Sequence, residues 1–171
     1  MLKLIALILT GVLVAVAAPA MAVDVRGETY FEHIPTLLHA GTDNYSTTYN
    51  YARYSFDVAV PANGEAVGSL YIGFPDRIAV PSADMVSVSD SAGKAIALQN
   101  YAVQNNTAQL NFAQPVPPGS KINIQFYPMR NPRLGGTYLF EVSAAPAGPA
   151  PHLQFLSFGR INFYAPSGGH R

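Results

Sequence analysis

Polar and apolar residues alternate with a period of two along much of the chain. Over residues 53–60, Tyr54, Phe56, Val58 and Val60 fall on one face, and Arg53, Ser55 and Asp57 on the other. Strict alternation places successive side chains on opposite faces of a half-buried strand. Residues 121–127 repeat it, with Ile122, Ile124 and Phe126 inward against Lys121, Asn123 and Gln125. Tyr138, Phe140 and Val142 do the same against Glu141 and Ser143. Shorter apolar stretches at 70–74, 85–88, 94–98 and 108–112, and one at 153–164 interrupted at Gly159, complete a set of about eight predicted strands.

Between these stretches lie clusters of turn formers: 61–64, 91–93, Asn105-Asn106, 115–119, Asn131-Pro132, Gly135-Gly136 and 146–151. Gly and Asn tolerate positive φ, and Pro fixes φ near −65°, so each cluster ends one strand and aims the next. Many short strands divided by turns predict an all-β fold, an antiparallel β-sandwich of the immunoglobulin-like or a related kind. The sandwich is expected over residues 53–164. Residues 23–52 read as an N-terminal extension, with a short helix at 34–40 and a polar, tyrosine-rich loop after it. Residues 165–171, with Pro166, Gly168 and Gly169, read as a disordered tail.

The first 22 residues follow another rule. Lys3 precedes an apolar run at residues 4–18, and small residues end it at Ala20-Met21-Ala22. This is the order of a cleavable signal peptide, and the run is short for a membrane-crossing helix. Cleavage after Ala22 leaves about 149 of the 171 residues, enough for one core. No later stretch reaches transmembrane length, so the expectation is an extracytoplasmic domain, periplasmic or secreted, without an integral span.

Composition narrows the chemistry. The chain contains no cysteine, which excludes disulfides, thiolate metal sites, cysteine nucleophiles and the acylated cysteine of a bacterial lipoprotein. Ten acids balance ten Lys and Arg residues, but unevenly. Nine of the acids lie between Asp24 and Asp90, and beyond Lys94 only Glu141 faces Lys94, Lys121, Arg130, Arg133, Arg160 and Arg171. The balanced charge and the lack of a Lys/Arg-rich helix argue against a nucleic-acid partner.

From residue 115 onward the sequence becomes distinctive: PVPPG at 115–119, NPRLGGTYLFEV at 131–142 and FGRINFY at 158–164. With Thr36-Leu37-Leu38 and YSFDVAVPANGEAVGSLYI at 54–72, these strings resemble an exported family, best represented in cyanobacteria, catalogued as domain of unknown function 2808. The resemblance covers about residues 34–164 and is weakest over 76–106. It implies an extracytoplasmic β domain and brings no catalytic residue, cofactor or ligand with it.

Candidate chemistry therefore rests on residue types. The chain has no Gly-x-Ser-x-Gly elbow, no His-Glu-x-x-His and no phosphate-binding glycine loop, and the expectation is a non-enzymatic protein without a cofactor. Tyr45, Tyr49 and Tyr51, set among Asn, Ser and Thr, have the composition of an adaptable recognition loop for a glycan or a protein of the envelope. Arg130, Arg133 and Arg160 lie in or beside turns and offer guanidiniums for a carboxylate, sulfate or phosphate. The leading expectation is a binding or structural module of the cell envelope. The alternatives are a glycan-binding protein and a periplasmic metal-binding protein using His33, His39 and His152.

Overall fold

The computed structural model describes residues 23–25 and 27–165. Residues 1–22, the expected signal peptide, and most of the expected tail lie outside the described residues. The protein is all-β. Strands β1 (Val23–Val25) and β2 (Glu28–Tyr30) pair with each other, and nine further strands form two antiparallel sheets. These are β3 (Thr36–Thr42), β4 (Ala52–Ala59), β5 (Val67–Gly73), β6 (Val86–Ser89), β7 (Leu98–Gln104), β8 (Thr107–Val116), β9 (Lys121–Met129), β10 (Gly136–Pro146) and β11 (Gln154–Phe163). One sheet has the order β3-β4-β9-β6 and the other β11-β10-β5-β8-β7.

The inward residues of the two sheets make one core. Tyr54, Phe56 and Val58 of β4 and Ile122, Ile124 and Phe126 of β9 face Leu70 and Ile72 of β5, Leu110 of β8, Phe140 and Val142 of β10 and Ile161 and Phe163 of β11. Phe140 sits at the centre, with edge-on contacts to Tyr54, Phe56 and Phe74 at ring separations of 5.9, 5.4 and 5.3 Å. Burying each such side chain stabilises the fold by about 1.5–3 kcal/mol, so a chain without disulfides can rest on this core. The β7–β8 hairpin turns at Asn105 and Asn106, both at positive φ (48° and 58°), as a two-residue turn of matching twist requires.

The expected helix at 34–40 is instead β3, and its error has a specific source. A bulge between Leu37 and His39 breaks the alternation: Leu37 and Ala40 pack toward the core while Leu38 projects outward, 56% exposed. The resulting three-residue spacing of inward positions imitates a helix. The sandwich therefore begins at Thr36 rather than at residue 53.

Three smaller differences follow from packing. The expected break at Gly159 is continuous strand, because β11 runs beside β3 there: a Cβ on Gly159 would stand 2.6 Å from that of Ala40. Ser143, expected outward, is buried. The apolar stretch at 94–98 contributes only a bridge from Ala95 to Ser89, and the strand proper is β7.

Candidate functional site

The turn that joins β9 to β10 carries Arg130, Asn131, Pro132, Arg133 and Leu134, and Asn131 organises it. Its side chain is buried, with every polar atom used. Oδ1 accepts a hydrogen bond from the Tyr54 hydroxyl at 2.9 Å, and Nδ2 donates to the carbonyls of Asn44 and Ser46, both at 2.8 Å. Its backbone N–H donates to the Tyr49 carbonyl at 2.7 Å. Thr48, at φ 67°, donates its N–H to the Pro132 carbonyl, and Tyr164 donates to the Tyr45 carbonyl. The tyrosine-rich loop at 43–51 is thus tied to the arginine turn on one side and to the end of β11 on the other. Desolvation of the buried Tyr54 ring and hydroxyl holds its pKa well above the ordinary tyrosine value.

The arginine turn faces a hollow of about 450 Å³ lined by Arg77, Ala79, Arg130, Asn131, Pro132, Arg133 and Leu134. Arg130 and Arg133 also line an adjoining hollow of about 310 Å³ with Thr48, Asn50 and Asn131. The ion pairs among the described residues are Lys121–Asp57 at 3.0 Å and His152–Glu28 at 3.4 Å, so Arg77, Arg130 and Arg133 have no carboxylate partner. Arg77 follows β5 at φ 77°, a left-handed conformation that a long side chain rarely adopts. Arg53 lies over the Tyr127 ring, 5.1 Å from its centroid.

Two of the three expected arginines therefore converge, and the third position belongs to Arg77. Arg160 is on the exposed face of β11 opposite Leu139 and does not line the hollow. Tyr45, Tyr49 and Tyr51 are exposed on the loop beside it, but their side chains do not form its wall. Sequence reading missed Arg77, which carries no motif, and took Asn131 for turn punctuation alone. That an asparagine rather than an aspartate stands at 131 follows from the two carbonyls it must donate to.

The three histidines do not form one ligating group. His39 is opposite Asp57 across β3 and β4, and His152 stacks on Tyr30 at 4.5 Å beside Glu28. His33 keeps company with Glu32 and Glu65, at the end of the sandwich opposite the arginine turn.

Comparison with known proteins bears on the fold. The structure is similar to that of BslA, a bacterial hydrophobin, with a TM-score of 0.53 and 12% identity over 79% of this chain and 97% of that one. It is also similar to a membrane-anchored protein of Corynebacterium diphtheriae, with a TM-score of 0.50 and 10% identity over 85% of this chain and 38% of that one. A cohesin of the archaeon Archaeoglobus fulgidus matches at a TM-score of 0.49 and 12% identity, over 77% of this chain and 92% of that one. No curated protein sequence matches the chain. Among the described residues no helix is long and apolar enough to cross a membrane. Residues 28–163 match the profile of a protein family of unknown function, DUF2808, and the chain belongs to that family.

Proposed function

We propose that the protein is a non-enzymatic, extracytoplasmic binding module that holds an anionic polysaccharide of the cell envelope at the arginine hollow. The observation that carries this reading is the convergence of Arg77, Arg130 and Arg133 on one concavity without a carboxylate among the described residues to neutralise them. Guanidiniums present planar, forked donors that match carboxylate and sulfate oxygens, and a polymer engages several at once. The exposed tyrosines on the adjoining loop offer rigid faces for sugar rings. The export-type N-terminus and the sandwich architecture agree with such a role.

The test is binding of polygalacturonate by the purified chain, measured by calorimetry across a salt series. Binding should weaken as salt rises, because screening acts on exposed charges. Replacing Arg130 and Arg133 together by alanine should lower affinity at least tenfold, since hydrogen bonds between charged groups each contribute about 1.5–3 kcal/mol. Unaltered affinity in the double variant would remove the hollow from consideration, and a carboxylate-rich protein captured in its place would redirect the reading.

The structural form of the reading has an observation of its own. Leu139, Phe155 and Phe158 stand exposed on the outer face of β10 and β11, with the two phenylalanine rings 5.0 Å apart. Exposed apolar groups that touch one another are what an assembling partner covers. Phe155→Ser with Phe158→Ser should abolish any concentration-dependent association seen by light scattering. Association that persists in the double variant assigns it elsewhere.

A further inference from the structure

At the end of the sandwich opposite the arginines, the structure holds a buried carboxylate with one oxygen left open. Glu65 closes the connection between β4 and β5 and is 2% exposed. Its Oε2 accepts backbone N–H groups from Glu32 at 3.1 Å and His33 at 3.4 Å. No Lys or Arg among the described residues pairs with it, and its second oxygen accepts no protein hydrogen bond but is open to solvent, since no described side-chain polar atom is both buried and unpartnered. The two amides fix the carboxylate in place and leave its second oxygen open to a ligand.

One ligand atom each from Glu32, His33 and Glu65 lies within 4.8 Å of the others. We propose that these three residues bind a divalent first-row cation of the zinc class. Such an ion bonds imidazole nitrogen and carboxylate oxygen at about 2.0–2.2 Å, which sets its donors about 3–4 Å apart. Glu32 is exposed and its side chain is free to adjust. The mixed nitrogen and oxygen donors select this class over calcium and magnesium, which take oxygen shells. Three protein ligands leave one position for water.

The backbone fixes the relative placement of the two segments. A Cβ on Gly64 would stand 3.1 Å from the His33 carbonyl, so the loop before Glu65 packs directly against the chain that carries Glu32 and His33. The site is independent of the arginine hollow and of the reading built on it. It uses His33 but neither His39 nor His152, each of which has its own carboxylate neighbour.

The experiment is a titration of the chelator-stripped full chain with zinc, read by calorimetry, with calcium as a parallel titrant. The expected result is one saturable zinc site and at least tenfold weaker binding of calcium. Glu65→Gln keeps an oxygen for the two amides and should weaken zinc binding at least tenfold. His33→Ala should do the same, with its circular dichroism spectrum unchanged. His152→Ala should leave affinity unaltered. Absence of a saturable zinc site, affinity retained in both Glu65→Gln and His33→Ala, or loss of affinity in His152→Ala would each overturn the assignment.

Discussion

The two ends of the sandwich are built from the same kind of connection and have opposite chemistry. At one end the loops after β5 and β9 bring Arg77, Arg130 and Arg133 around an open hollow, and these guanidiniums meet no carboxylate among the described residues. At the other, the segments before β3 and β5 bring Glu32 and Glu65 together with His33. The uneven distribution of charge along the sequence would allow the acidic and basic halves to neutralise each other on folding. The fold instead separates part of each, because strand direction assigns every connection to one end. In both places one buried polar side chain ties the backbone together: Asn131 donates to two loop carbonyls at one end, and Glu65 accepts two backbone N–H groups at the other.

The largest way to break the contrast is to remove Asn131. Asn131→Ala strands the Tyr54 hydroxyl and two loop carbonyls, and unsatisfied buried groups cost about 1–3 kcal/mol each. The expected loss is about 2–4 kcal/mol by denaturant unfolding, together with faster amide exchange over residues 43–51. The opposite end should keep its protection. Equal loss at both ends would show that Asn131 supports the whole core rather than the arginine end.

A smaller effect tests the seam that runs between the ends. Gly159→Ala sets a methyl 2.6 Å from the Ala40 Cβ and 3.2 Å from the Phe56 ring, so β3 must move off β11. Overpacking of this kind costs about 1–3 kcal/mol. Measured stability within error of the original would mean that β3 yields freely and does not lock the two sheets together.

What sequence reading recovered and what it lost divide along physical lines. The alternation in β4, β9 and β10 is a direct consequence of one face being buried, so these strands and most of their core residues were legible. β3 was not, because a bulge converts its period of two into a spacing that a helix shares. Ser143 was assigned to the wrong environment because alternation along one strand does not report what covers its outer face. The arginine turn was visible as a cluster of one residue type, but Arg77 enters from a loop about fifty residues earlier in the chain. Glu65 was invisible for the same reason: its only signal is three-dimensional. Arg160 was misplaced because strand register, which sets it opposite Leu139, decides which arginines meet.

Replacing Arg130 and Arg133 by alanine should change stability by less than about 0.5 kcal/mol, because both are exposed and unpaired. This separates them from Asn131, whose loss should reduce stability and binding together. A melting temperature that falls by many degrees in the arginine double variant would make these side chains part of the scaffold rather than of the ligand surface.

The smallest effect concerns Asp57, midway between the ends. Burial pushes its pKa up, but the hydrogen bond from Asn123, the adjacent Lys121 ammonium and the charge of His39 outweigh it and hold the carboxyl below its ordinary value of 3.8. A group that binds its proton more weakly when folded adds stability that is complete above the unfolded pKa and vanishes as pH falls through the folded one. The unfolding free energy should therefore drop below about pH 4, by no more than the ~1 kcal/mol usual for a partly exposed pair. Asp57→Asn should remove this part of the slope while leaving zinc binding and polygalacturonate binding unaltered, since Asp57 belongs to neither end. An acid slope that survives in Asp57→Asn would assign the loss to other carboxylates.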